Sequence, residues 1–250
     1  MARPERYDTA RLPALGGFVV VAALGWLHLA ISHGAGHAAH LAGPELTTGP
    51  FEQLLGAFLL WSVMMVAMML PSELPAAALF GELSRRRRGR VSLDAAFYGA
   101  GYVAAWIGYS AVAAIGQVAL SRAVLLTPSL RSASIPLSAV ILLAAGGFQF
   151  TSFKDACLTK CRAPLGFFLA QWRDGRTGAL TLGLKHGGYC VGCCWALMAV
   201  MFVVGAMNLL WMAVLTLFVL GEKLAPARWR VRELAGAALV VWGGVVAISG

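Results

Sequence analysis

The sequence has few charged residues for a chain of its length. Only 12% of its 250 residues are Asp, Glu, Lys or Arg, whereas soluble globular domains average about 25%. Hydrophobic residues make up 59% of the chain, and the mean hydropathy is +0.75. This composition argues against an ordinary soluble domain. It predicts a single integral membrane domain, built of helices, over residues 1–250.

Other features are absent as well. The sequence shows no alternation of apolar and polar residues of the kind that marks outer-membrane barrels. It contains neither a P-loop nor an ATPase phosphorylation loop, so any transport would be passive or coupled to another gradient. The net charge of +9 comes from basic residues in short loops between apolar runs, where membrane topology explains them better than nucleic-acid binding does. The expected partner is therefore the lipid bilayer and not a nucleic acid.

The apolar runs predict an all-α, polytopic bundle of about seven transmembrane helices. The expected spans are residues 12–31, 51–70, 95–119, 136–153, 187–204, 207–220 and 234–248. The run from Gly187 to Leu220 is too long for one span, so Gly205 and Asn208 are interpreted as the break of a tight hairpin. Pro71 is expected to end the second helix, because proline cannot donate to the preceding turn.

The basic residues predict the orientation of these spans. With seven spans, 18 of the 20 Lys and Arg residues fall in loops on one side, and only Arg122 and Arg131 fall on the other. An excess of this kind marks the cytoplasmic side. It predicts a cytoplasmic N-terminus, an external C-terminus and a multi-pass protein of the inner (cytoplasmic) membrane. In this topology all five cysteines lie near the cytoplasmic face, where thiols stay reduced and structural disulfides are not expected.

Three of the five cysteines lie beside a histidine in the motif His186-Gly-Gly-Tyr-Cys190-Val-Gly-Cys193-Cys194-Trp195. On a helix the histidine and the three cysteines occupy positions i, i+4, i+7 and i+8, which share one face. A second group, Cys157 and Cys161, follows the fourth run with the spacing of one helical turn. Thiolate and imidazole are ligands for soft or borderline metals, and a buried thiolate needs a compensating cation. The two groups predict one shared metal site at the cytoplasmic face.

Thioether and charged side chains accompany the thiols. The predicted additional metal ligands are Met64, Met65, Met68, Met69 and Met198. Methionine ligation favours copper(I), whereas a Cys/His set would suit zinc equally well, so copper(I) is the favoured ion. Lys154 is expected on the same helix face as Cys157, and Glu222 can accept a hydrogen bond from Lys154 or from Lys223. The alternative for these charged residues is that they only extend to the membrane interface.

Three further histidines, His33, His37 and His40, follow the first run at positions i, i+4 and i+7. They can bind a metal if the segment is helical. Two glycines between them favour a solvated loop instead. Whether these histidines bind metal stays open.

The segments MMVAMMLPS, FQFTSFKDACLTKCRAP, HGGYCVGCCWALM and GEK, in this order, resemble domain-of-unknown-function family 2182. That family is described as predicted metal-binding integral membrane proteins, and the resemblance covers roughly Phe51 to Gly250. It implies metal binding within a membrane protein, but neither a reaction nor an ion. The positions that match its motifs are Met64, Met65, Met68, Met69, Gln149, Lys154, Cys157, Cys161, His186, Cys190, Cys193, Cys194, Met198 and Glu222.

The sequence therefore favours a transition-metal membrane protein for copper transport or delivery, with a metal-delivery protein as a candidate partner. A role as an enzyme is less favoured. The alternative is a membrane thiol–disulfide redox protein that uses the cysteine pairs, and a third is a structural protein with inert cysteines. The shared-site hypothesis predicts that both cysteine groups lie together with His186, and that the methionines of residues 64–69 face them.

Overall fold

The computed structural model describes residues 11–34, 49–88, 92–127, 129–226 and 229–249. Its named elements are all helices, which confirms the all-α class. They are α1 (Arg11–Gly34), α2 (Pro50–Arg88), α3 (Ser92–Arg122), α4 (Ile135–Phe148), α5 (Ser152–Arg162), α6 (Pro164–Gln171), α7 (Arg176–Ala199), α8 (Met201–Val204), α9 (Leu209–Leu224) and α10 (Val231–Ile248).

Within the described ranges, four stretches are long and apolar enough to cross a membrane. These are Pro50–Arg87, Leu93–Arg122, Arg176–Val204 and Val231–Ile248. Helices α4 and α5 add a fifth if they count as one span, although they are bent by 64°. The apolar part of α1 and the 16-residue α9 are shorter. The count of seven spans and the sides of the termini stay predictions.

The prediction that the second helix ends at Pro71 is wrong. Helix α2 continues for 39 residues to Arg88, with Pro71 inside it. A proline lacks the N–H that would donate to the carbonyl four residues earlier, which here belongs to Ala67. The indole Nε1 of Trp26 on α1 donates to that carbonyl at 3.0 Å. The hydrogen bond lost at the proline is thus replaced by a neighbouring helix.

Two other expected spans also differ from the structure. The span 136–153 is interrupted after Phe148, and α5 begins anew with Thr151 as its N-cap, whose side chain accepts from Lys154 N. The span 187–204 begins earlier than expected, because its helix starts at Arg176 and contains Lys185. The ammonium group of Lys185 extends outward and donates to Gln171 Oε1 at 2.7 Å.

The helix break predicted inside the long apolar run is confirmed, while the hairpin of two spans stays a prediction. Gly205 has a φ of 97°, a conformation that glycine adopts without steric cost. Three residues later, Asn208 Oδ1 accepts from Trp211 N and caps α9. The helix is therefore interrupted between α8 and α9 at the two residues that the sequence indicates.

Helices α3 and α7 cross with their backbones in contact. A Cβ added at Gly183 would lie 1.9 Å from Tyr98 O, and one added at Gly101 would lie 2.1 Å from Leu180 O. Only glycine permits such an approach, and small residues let membrane helices pack closely in this way. The contact brings Tyr98 and Tyr102 of α3 against the face of α7 that carries the cysteine motif.

Candidate metal centre

Three thiols from two helices converge in the core. Cys161 of α5 and Cys190 and Cys193 of α7 have Sγ atoms that all lie within 4.8 Å of one another. Cys190 and Cys193 are fully buried, and Cys161 is 8% exposed. We call these three residues the thiol triad. The structure thus brings one cysteine of the first group next to two of the second, whereas Cys157, Cys194 and His186, which the shared-site hypothesis also includes, are not part of this set.

The other two cysteines lie next to the triad. The Sγ of Cys194 is 3.3 Å from that of Cys193, and Cys194 is fully buried. Cys157 packs on the opposite flank of α7, where a Cβ added at Gly192 would lie 2.9 Å from its Sγ. All five thiols are free and buried, but only the triad has the mutual spacing of a single ion's ligands within the described residues.

A histidine–carboxylate pair lies one turn before the triad. His186 Nδ1 is 2.8 Å from Glu73 Oε1, and the hydroxyl of Tyr98 donates to the same oxygen at 2.5 Å. His186 and Glu73 are almost completely buried. His186 Nε2 has no hydrogen-bond partner among the described residues. A carboxylate accepts from Nδ1–H, so in the neutral imidazole the unpartnered Nε2 is the nitrogen that carries the lone pair.

Glu73 was not predicted as a site residue, because Pro71 was expected to end its helix. On the continued helix, Glu73 lies one turn beyond Met69 and projects into the core instead of the interface. The available signal was its position i+4 from a methionine of the predicted ligand strip. Tyr98 and Tyr102 were missed as well, since aromatic residues in an apolar run are usually packing residues.

A lysine and a tyrosine connect this carboxylate to the triad. Lys223 Nζ donates to Ser72 Oγ at 2.9 Å and lies 4.0 Å from Glu73 Oε2. The same ammonium lies 5.9 Å from the ring centroid of Tyr102, whose hydroxyl is 3.1 Å from Cys190 Sγ. Lys223 is therefore linked to the Cys190 thiol through Tyr102. It is buried and does not extend to the membrane interface, which was one of the alternatives from the sequence.

The other buried lysine has its own partner. Lys154 Nζ lies 2.8 Å and 3.0 Å from the two carboxylate oxygens of Glu222, and both side chains are fully buried. Arg162 Nε donates to the backbone carbonyl of Glu222 at 2.8 Å. Of the two partners that the sequence allows for Glu222, the structure selects Lys154. These contacts fix α5, and hence Cys161, against α9.

The remaining predicted site residues are buried in the same core. The side chains of Met64, Met65, Met68, Met69 and Met198 are fully buried and belong to one apolar cluster with all five cysteines. Met69 O lies 3.5 Å from the Tyr102 hydroxyl that also contacts Cys190. The Gln149 amide is buried without a hydrogen-bond partner in the part of the chain that the structure describes. The ligand roles of these residues stay predictions.

The position of the thiols along the helix differs from expectation. Cys190 lies midway between the ends of the stretch Arg176–Val204, whereas the sequence placed the motif at the start of a helix. The cause is the additional length of α7 before His186. Of the histidines that follow the first apolar run, His37, His40 and the side chain of His33 lie outside the described residues.

Comparisons with known proteins give one match. No curated protein and no solved structure matches the chain. A family model named PpoB2, described as copper chaperone, matches residues 58–246, a range that contains every cysteine, the Lys154–Glu222 ion pair and the His186–Glu73 pair. The match supports the metal-related part of the resemblance found in the sequence, while the label of family 2182 stays a prediction. The chain belongs to the PpoB2 family of copper chaperones.

Proposed function

We propose that this protein is a membrane copper chaperone that binds copper(I) as cargo at the thiol triad and passes it to an acceptor protein. One observation carries the proposal. Cys161, Cys190 and Cys193, from two separate helices, hold three Sγ atoms within 4.8 Å of one another in a buried core. Membership of a copper chaperone family supports delivery as the purpose of such a site.

The spacing of the triad suits one metal ion. With metal–sulfur bonds of about 2.3 Å, the sulfur ligands of one ion lie about 3.8–4.0 Å apart. The triad needs a contraction of less than about 1 Å to reach this spacing. Structural zinc sites are almost always four-coordinate, whereas the soft copper(I) ion is satisfied by three thiolates. The three-sulfur set therefore favours copper(I) over zinc.

The surroundings of the triad favour the deprotonated thiols that a metal requires. The Tyr102 hydroxyl, 3.1 Å from Cys190 Sγ, can donate to a thiolate. Lys223 adds positive charge behind that ring, while Lys154 is neutralised by Glu222. Burying a charge is costly unless it is paired, so Lys223, which also lies 4.0 Å from Glu73 Oε2, lowers the cost of forming thiolates at the triad.

His186 is suited to assist the ion beside the triad. Metal-binding histidines commonly donate their second ring N–H to a carboxylate, which fixes the ring and its tautomer. Glu73 provides this carboxylate at 2.8 Å, and the lone pair of Nε2 has no partner in the described ranges. We assign His186 to the transfer of the ion into or out of the triad.

Delivery is proposed across the bundle in the inner membrane, with the N-terminus in the cytoplasm. The buried methionines of α2 provide weaker, neutral ligands in the same core as the triad. Weak ligands favour exchange of the ion, because each step costs little to reverse. An acceptor protein with thiols or imidazoles of its own completes the transfer.

The test is copper content. The detergent-purified protein is loaded with the copper(I)–acetonitrile complex without oxygen, desalted and measured by mass spectrometry of the metal. The wild type should retain copper, and Cys190→Ser should lose it. Cys157→Ser is the matched control, because its thiol is buried on the same helix as Cys161 but lies outside the triad; it should retain copper.

Three outcomes contradict the proposal. Retention of copper by Cys190→Ser at the wild-type level would show that the triad is not the binding site. If the protein binds zinc in preference to copper(I) when both ions are present, the cargo is zinc and not copper(I). A metal-free wild type whose thiols cycle between reduced and disulfide forms would support the redox alternative.

A further inference from the structure

We infer that α7 holds a second copper(I) ion beside the triad, bound by Cys193, Cys194 and Met198, with Cys193 bridging the two ions. This inference rests on the proposed function and deepens it, because it assigns the capacity and the chemistry of the loaded site. It follows from a thiol that is buried next to the triad but is not part of it.

Cys194 lies directly beside the triad. Its Sγ lies 3.3 Å from that of Cys193, a contact in which either thiol can donate a hydrogen bond to the other. Yet the group with single-ion spacing contains Cys161, Cys190 and Cys193, and not Cys194. The triad can therefore hold one ion without the sulfur of Cys194. Cys194 is thus a fourth soft donor that contacts only one edge of the triad.

Further ligands for a second ion are present at that edge of the triad. Met198 lies one helical turn beyond Cys194 on the same face of α7, and its thioether is fully buried. Cys193, Cys194 and Met198 offer two thiolates and one thioether to a second ion. A thiolate sulfur has several lone pairs and can bridge two copper(I) ions, so Cys193 need not leave the first ion.

Binding of the second ion leaves the net charge of the buried core unchanged. When the second copper(I) ion binds, the Cys194 thiol loses one proton. This proton is released to the solvent. The added charges of the ion and the new thiolate cancel, so the net charge of the core does not change. An unpaired buried charge is strongly unfavourable. A bridged pair of ions therefore costs less free energy than a separate second site that needs several new thiolates.

The experiment is a titration of the full chain in detergent with the copper(I)–acetonitrile complex, without oxygen. The wild type should bind two ions, and X-ray absorption of the loaded protein should show a copper–copper vector. Cys194→Ser should bind one ion and lose that vector, since the triad is intact. Cys157→Ser, which removes a buried thiol on the other flank of α7, should still bind two. Met198→Leu should weaken the second binding step and leave the first unchanged.

The outcomes separate the two proposals. A wild type that stops at one ion without a copper–copper vector overturns the second site and leaves the proposed function intact. Two ions in Cys194→Ser, with the vector retained, also overturn the assignment. A wild type that binds no copper overturns the proposed function. Because stoichiometry and vector are measured on the wild type itself, the inference is tested even if the Cys194 variant does not fold.

Discussion

The crossing of α3 and α7 can be tested at one glycine. Replacement of Gly183 by alanine would place a Cβ 1.9 Å from the backbone oxygen of Tyr98. Ordinary contacts between such atoms begin near ~3.4 Å, so the helices must separate by about 1.5 Å. Neither the oxygen nor the Cβ can rotate away, because both are fixed by helical backbone.

The separation has a calculable cost. It would stretch the 2.6 Å contact of Tyr98 with His186 and the 3.1 Å contact of Tyr102 with Cys190 beyond hydrogen-bonding distance. Overpacking alone costs about 1–3 kcal/mol, and a buried polar group that loses its partner costs a further ~1–3 kcal/mol. A loss of about 3 kcal/mol corresponds to a decrease of roughly 6–12 °C in Tm for a chain of this size.

Thermal unfolding in detergent, followed by near-ultraviolet circular dichroism, measures this decrease. The matched control is Gly188→Ala on the same helix, where an added Cβ meets nothing within 4 Å. That variant should unfold at the wild-type temperature or slightly above it, because alanine favours helix by up to ~1 kcal/mol over glycine. Equal Tm values for Gly183→Ala and Gly188→Ala would refute the backbone contact as the origin of the packing.

Three further predictions concern buried polar groups. Trp26→Phe should destabilise the protein by about 1–3 kcal/mol by leaving a carbonyl of α2 without a donor; the addition of Pro71→Ala, which restores the backbone N–H, should recover most of the loss in Tm. Lys154→Met should cost about 3–5 kcal/mol because it leaves the Glu222 carboxylate buried and unpaired, whereas Lys154→Met combined with Glu222→Met should be close to neutral in chemical denaturation. Glu73→Gln should slow the transfer of copper(I) to a chromogenic chelator by about 10–100-fold, because the ring of His186 loses the carboxylate that fixes it; an unchanged transfer rate would contradict the proposed role of the carboxylate.

The helices and the shared helical face within each cysteine group were accessible from the sequence, because both depend on periodicity. The motif around Cys190 spaces its side chains along one helical face, and Cys157 and Cys161 do the same on α5. Gly205 and Asn208 revealed the helix break through their local conformational preferences. These signals operate within a few residues, so a sequence shows them directly.

What escaped prediction depends on contacts between distant segments. The helix passes through Pro71 because an indole 41 residues away in sequence satisfies the free carbonyl. His186 gains a carboxylate from Glu73, which is 113 residues away. Spacing alone also could not divide the five thiols into a triad and two neighbours, because that division depends on side-chain rotamers and on the approach of α5 to α7.

The distribution of the triad over two helices has a thermodynamic consequence. Two of its sulfurs belong to α7 and the third to α5, so an ion held by all three is a reversible cross-link between these segments. Linkage then requires that the ion tightens their docking by as much as their docking tightens the ion. At a free ion concentration of 1,000 times Kd this reciprocal stabilisation reaches ~4 kcal/mol. An acceptor protein that binds α5 better in its undocked position would, by the same equality, lower the affinity for the cargo at the moment of transfer.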